Sequence, residues 1–178
     1  MIVLSGPAAS GKSSLQDALC AIGNYKPLVS YTSRQRRVGE IDGIDYHFRS
    51  DSFFEENKQR FLEINKYNGW NYGTMYEDLC DDIVAVMTPS GMRALKRALP
   101  MLKRVHDVKF IYLNVPRRDR LIASLERGDD VDEAIRRNLS DVGMFDGIEQ
   151  EVDYVLDNPG FKKSVDDLAH ELLEKVGQ

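Results

Sequence analysis

The chain of 178 residues has only two cysteines, Cys20 and Cys80, and neither sits in a metal-ligand spacing. Reduced, partly buried thiols are expected, and zinc and disulfide frameworks are set aside. No apolar stretch approaches the ~20 residues that a membrane-spanning helix needs, so no membrane partner is expected. Positive charge is not in excess: 24 Lys and Arg face 29 Asp and Glu, and the net charge of −5 argues against a dedicated nucleic-acid binder. Internal repeats, low-complexity segments and linkers are missing as well, and the length suits one well-buried domain with small insertions. Met1 runs straight into an apolar segment, leaving no room for the regions of a secretory signal, so a cytoplasmic location is expected.

Against these absences stands residues 2 to 15, IVLSGPAASGKSSL. Gly6, Gly11, Lys12 and Ser13 fall in the pattern G-x-x-x-x-G-K-[ST], and Ile2-Val3-Leu4 supplies the strand that the pattern requires. Anionic phosphates need several N–H donors converging on one point, which a glycine loop opening a helix provides together with the helix dipole. Lys12 can then reach the β- and γ-phosphates and the Ser13 hydroxyl can ligate Mg²⁺. The residues expected around a nucleotide's phosphates are Gly6, Ala8, Ala9, Ser10, Gly11, Lys12, Ser13 and Ser14. The plain alternative is an ordinary glycine-rich turn, and the full set in order argues against it.

Further along, Leu15, Ala18, Leu19 and Ile22 predict a helix over 12–22, and Pro27 to Ser30 a short strand. Arg34, Arg36 and Arg37 follow, a run that is either a solvated face or an anion site. Asp42-Gly43 offers a turn, Asp45 to Phe48 alternates as a strand, and 51–60 reads as a helix capped by Asp51 or Ser52. Phe61 to Ile64 resumes a strand, which turns at Tyr67-Asn68-Gly69 and returns through Trp70, the latter expected to pack rather than to touch ligand. Thr74 is expected to cap a helix from Met75 to Asp81. Ile83 to Met87 and Val108 to Asn114 read as buried parallel strands, each followed by a helix opened by Pro89 or Pro116. Leu121, Ile122 and Leu125 form the apolar face expected of the second of these helices. A last strand at 152–156 and a helix at 164–176, with Val165, Leu168, Leu172 and Val176 inward, complete an α/β alternation that implies a parallel sheet.

The segments GPAASGKSSL, SYTSRQRRVGEIDGIDYHF, FLE and NYGT stand in the order and spacing of guanylate kinases, and the chain resembles that family over nearly its whole length. The resemblance implies an α/β fold of P-loop NTPase type: a parallel sheet flanked by helices (1–31, 76–126 and 147–178), a small β-rich NMP-binding subdomain at 32–75 and a helical lid at 127–146. It implies phosphorylation of GMP or dGMP by ATP with Mg²⁺, in a monomer or homodimer. Arg34, Arg37, Tyr46 and Tyr72 match positions that hold the GMP phosphate, and Ser30, Glu63 and Thr74 match those facing guanine. Lys12, Arg34, Arg127 and Arg137 are the expected catalytic set, with Arg120 and Asn158 on the ATP side.

The chain also departs from the family. Arg36 stands at a usual proline, and two acidic positions at the end of the 83–87 strand are Val86 and Thr88, the latter carried as part of the GMP site. Two lid arginines align with Ser124 and Asn138, which makes Arg120 and Arg137 the substitutes, with helix-surface salt bridging as their plain alternative. Asn158 is read either as a neighbour of adenine or as turn chemistry. Two rival functions stay open: a kinase for another nucleoside or sugar phosphate, and a non-catalytic binding module on the same fold.

Overall fold

Strand β1 (Ile2–Ser5) is buried along its whole length, as a strand must be when helices cover both faces of its sheet. The computed structural model describes residues 1–67 and 69–177; Asn68, in the expected turn after Tyr67, lies outside them. The sheet is parallel throughout, in the order β2 (Lys26–Pro27), β7 (Ile83–Val86), β1, β8 (Lys109–Asn114), β9 (Tyr154–Asp157). Side chains alternate across it. Val3, Ala85, Phe110 and Tyr112 meet Met92, Leu95 and Ala98 of α3 (Pro89–Ala98) on one face. Ile2, Leu4, Val84, Ile111 and Leu113 meet α1 (Lys12–Ile22) through Leu15 and Leu19, and α6 (Val165–Val176) through Leu168, Ala169 and Leu172. Each such side chain removed from water contributes about 1.5–3 kcal/mol, so the sheet is a rigid base for the loop that leaves β1.

A second sheet stands apart from the first, in the order β4 (His47–Phe48), β3 (Tyr31–Thr32), β6 (Trp70–Met75), β5 (Phe61–Tyr67). β3 and β4 run parallel, while β6 is antiparallel to both β3 and β5. Its own small core joins Tyr31, Phe61 and Met75 to Phe54 of α2 (Asp51–Glu56), with the Phe54 and Phe61 rings stacked at 4.9 Å. Among the described residues no helix is long and apolar enough to cross a membrane.

Several sequence expectations are corrected. The cap of α2 is Ser50, whose side chain accepts from Phe53 N, because Asp51 is already helical; a separate 3₁₀ turn follows at Lys58–Arg60. Thr74 caps nothing: pairing with Phe61 keeps β6 extended through Met75, and Tyr76–Asp78 is a single 3₁₀ turn. The strand expected at Pro27 to Ser30 shrinks to the sheet edge at Lys26–Pro27, where a residue without an N–H is tolerated. Ile22 and Val165, expected inward, lie at helix ends and are 41% and 36% exposed. The largest correction concerns α4 (Arg117–Glu126): Ile122 and Leu125 are exposed, and Arg120 and Ser124 are the buried side chains. Arg120 donates from Nε to Val115 O and from Nη1 to Ala8 O, both at 3.0 Å. The inner face of α4 is thus polar because it braces a loop rather than the sheet.

Candidate functional site

Between β1 and α1 the chain turns through Gly6 to Gly11. A Cβ on Gly6 would lie 2.9 Å from both Leu113 O and Ser10 Oγ, so only glycine lets the loop pass that close to β8. Gly11 takes a left-handed φ of 91° just before α1. Lys12 folds back so that Nζ donates to Pro7 O at 2.6 Å. Burial pulls its pKa down to about 8, with Asp141 opposing that shift. Ser10 Oγ is buried without a partner among the described residues, while Ser13 and Ser14 are exposed at the start of α1. The Ala8 N–H already has an acceptor: Asp141 Oδ2 at 2.7 Å, which also stands 3.6 Å from Arg120 Nη1. This is an anion-binding loop holding an anion of the protein's own.

A cleft of about 470 Å³ separates this loop from the second sheet, a size suited to a small-molecule ligand. Gly6, Ala8 and Lys12 lie on its loop side. On the opposite side, Arg34 is 7% exposed and makes a two-pronged pair with Glu40, at 2.7 and 3.0 Å. Its guanidinium also stands 5.6 Å from the centre of the Tyr46 ring, which meets Tyr72 edge-on. Arg37 is exposed at the cleft with its backbone N–H on the same Glu40 carboxylate, whereas Arg36 is exposed outside the lining. Deeper in, Glu63 pairs across the strands with Thr74, and Ser30 and Thr88 also face the cleft. Burial pushes Glu63 up to about 7, and a hydrogen bond from Asn65 partly offsets this. The Glu63 carboxyl comes so close to the first turn of α3 that a Cβ on Gly91 would touch it at 3.5 Å.

The third wall is α5 (Val131–Ser140), capped by Asp130, whose side chain accepts from Glu133 N at 2.9 Å. Glu133 accepts from both Arg136, at 2.6 and 2.8 Å, and Arg137, at 2.7 Å. Arg136 also covers the Tyr67 ring at 5.0 Å and donates to its hydroxyl at 2.6 Å, and that hydroxyl meets Ser140 at 3.2 Å. This contact ties α5 to β5 across the cleft mouth. Arg120, Arg127 and Arg137 line a second, small cavity of about 20 Å³ beside Ala8 and Ala9, where Arg127 pairs with Asp129. Ser124 bonds Asp129 and Asn138 bonds Arg117, so the polar residues at two arginine positions are themselves engaged.

Asn158 is not among the residues lining either cavity: both ends of its amide are bonded to the backbone of Lys163, at 2.9 and 3.1 Å, as turn chemistry requires. Trp70, expected to pack, is 39% exposed in the cleft wall. Sequence reading missed Glu40, Asn65, Asp141 and the Arg136–Tyr67 contact. Glu40 and Asn65 left a local trace, an acid three residues after Arg37 and a polar side chain two residues after Glu63 on one strand face. Asp141 left none, because only tertiary packing brings it to the loop.

A central parallel strand that feeds a phosphate loop, facing arginines and a half-buried carboxyl across one cleft, defines a P-loop kinase. The family model for guanylate kinase matches residues 1–175, and the chain belongs to the guanylate kinase family. It is accordingly a nucleotide kinase enzyme. The guanylate kinase of Rickettsia felis is 32% identical, with 97% of this chain and 92% of that protein covered. That of Nitrosococcus oceani is 30% identical, with 94% and 85% covered. The crystal structure of guanylate kinase from Anaplasma phagocytophilum shares the fold with a TM-score of 0.66 at 23% identity, covering 99% of this chain and 84% of that one. Shikimate kinase from Bacteroides thetaiotaomicron shares it more distantly, at a TM-score of 0.54 and 13% identity, with 99% and 98% covered.

Proposed function

We propose that the enzyme transfers the γ-phosphoryl group of ATP directly to the phosphate of GMP or dGMP. The observation that carries this reading is one cleft with Lys12 and the loop amides on one wall and Arg34, Arg37, Glu63 and Thr74 on the other. An ionised Glu63 accepts from guanine N1–H and the 2-amino group, and Thr74 donates to O6. Arg34, Arg37, Tyr46 and Tyr72 hold the acceptor phosphate, which is itself the nucleophile, so no general base is required. Lys12 neutralises charge on the transferring group, and Arg127 and Arg137 turn from their carboxylate partners to the donor. Positioning and charge neutralisation are what phosphoryl transfer demands of a protein. In this reading 32–75 is the acceptor subdomain and 127–146 the lid.

The donor set fits a phosphate-bound Mg²⁺, because Ser13 offers an exposed hydroxyl at the loop end and such an ion takes most of its ligands from phosphate and water. When bound, the ion would screen charge between the β- and γ-phosphates. Val86 and Thr88 supply no carboxylate to it. The test is an ADP-release assay with ATP across GMP, dGMP, AMP, CMP, UMP and a sugar phosphate. GMP and dGMP should turn over far faster than the rest. Equal rates on AMP would refute the base reading, a preferred sugar phosphate would refute the substrate class, and ligand binding without turnover would favour the non-catalytic module.

A further inference from the structure

Three cross-strand pairs of β5 and β6 stand in succession on the cleft face: Glu63 with Thr74, Asn65 with Tyr72, and Tyr67 with Trp70. In the reading above, which this inference rests on, the first pair meets the base and Tyr72 belongs to the phosphate end. Asn65 stands between them without a role. Its Nδ2 donates to Glu63 Oε2. Reading guanine requires the ionised Glu63, which only accepts, so in that form the NH₂ end of the amide faces Glu63 and the carbonyl oxygen Oδ1 faces away from it. That oxygen has no partner among the described residues, and Asn65 lines the cleft.

Guanine brings three donor hydrogens along this edge, one on N1 and two on the 2-amino group. The two oxygens of Glu63 accept the N1 hydrogen and one amino hydrogen, which leaves the second amino hydrogen in need of an acceptor. The end of β7 is a poor source. Val86 is apolar, and the Thr88 hydroxyl already accepts from Gly91 N at 3.2 Å and meets Ser90 Oγ at 2.9 Å. We propose that Asn65 is a specificity-determining residue, whose NH₂ fixes the Glu63 carboxylate and whose Oδ1 accepts the remaining hydrogen of the guanine 2-amino group. The amide so placed distinguishes guanine from hypoxanthine, which has the same N1–H and O6 and no amino group. A site built around a donor discriminates against the analogue that lacks it.

The experiment compares kcat/KM for GMP and for IMP in the wild-type enzyme and in Asn65→Ala and Asn65→Leu, two variants of different bulk in case one disturbs the strand. Loss of the brace on Glu63 lowers both substrates, and loss of the amino contact lowers GMP further. The GMP-to-IMP ratio should therefore shrink by about fivefold or more, the size of one neutral hydrogen bond, with the KM for ATP unchanged. Parallel losses on GMP and IMP, or no loss on either, would overturn the proposal while leaving Glu63 as the base reader. A wild-type enzyme indifferent between GMP and IMP, with an equally indifferent Glu63→Gln variant, would overturn the base reading and this inference together.

Discussion

Glu63→Gln should make the protein more stable while making it a worse kinase. Burial raises the Glu63 carboxyl from the ordinary 4.5 to about 7, so the folded protein holds this proton more tightly than the unfolded chain does. The charged form therefore costs stability. The cost is absent below pH 4.5, grows as the pH rises, and is fully present above about 7. Each decade of proton affinity corresponds to about 1.4 kcal/mol, and the interval from 4.5 to about 7 gives a cost on the order of 3 kcal/mol. Glutamine keeps the shape and cannot ionise, so it escapes the cost at pH 8 and about a quarter of it, under about 1 kcal/mol, at pH 5. For a chain of this length that difference is a rise in melting temperature of about 6–12 °C at pH 8, against about 2–3 °C at pH 5. Calorimetry of the ligand-free wild type and variant at the two pH values measures it, since all other titrating groups are shared by both proteins. GMP kcat/KM should fall about 10- to 100-fold in the same variant, because the amide turns an NH₂ toward a guanine donor. A gain in melting temperature no larger at pH 8 than at pH 5 would refute the reasoning.

Lys12→Ala should abolish transfer with an unchanged circular dichroism spectrum; and because the wild-type ammonium deprotonates near pH 8, the affinity for an ATP analogue should weaken by up to about tenfold between pH 7 and pH 9. Arg37→Ala should raise the KM for GMP and lower kcat without loss of stability, while Arg34→Ala should do the same and also destabilise by about 1–3 kcal/mol, because Arg34 is buried and its removal leaves Glu40 without its cationic partner, held only by the Arg37 N–H. Steady-state kinetics and denaturant melts separate the two, and a change confined to ATP binding in either variant would contradict the two-sided cleft. Asp141→Asn should tighten binding of an ATP analogue at pH 7 about fivefold, since the carboxylate on Ala8 N–H must give way to phosphate. Weaker titration-calorimetry binding would show that Asp141 assists the nucleotide instead.

The parts legible in sequence were those set by near neighbours. The strand, loop and first turn of α1 follow from glycine conformation and amide geometry within 2 to 15, and the buried strands β7 and β8 from apolar runs of β-branched and aromatic residues. Local signals failed where tertiary contact outweighed them. The periodicity of α4 pointed Ile122 and Leu125 inward, yet Arg120 is drawn in by the carbonyls of Val115 and Ala8, which are fixed by other elements. Thr74 has the chemistry of a cap, and pairing of Met75 with Phe61 overrode it. At the site, Arg34, Glu63 and Thr74 were identified by resemblance to a family, and what they touch in the free protein could not be. Glu40, Asn65 and Asp141 carry no special signature until the chain is folded around them.

Three of the site's cationic or N–H groups come with acids already docked on them: Arg34 with Glu40, Arg137 with Glu133, and the Ala8 amide with Asp141. An arriving nucleotide therefore does not enter a bare positive socket. In the proposed reading it takes part in an ion exchange, in which phosphate oxygens compete with the tethered carboxylates of Glu40, Glu133 and Asp141. The net gain from charge is the difference between two anions, one of them held at high effective concentration by its own backbone. A free inorganic phosphate has only that small difference to offer. In the same reading a mononucleotide adds the proposed base contacts at Glu63 and Thr74, which a free phosphate lacks. On that reading the built-in counterions would act as a filter against simple anions before any base is read.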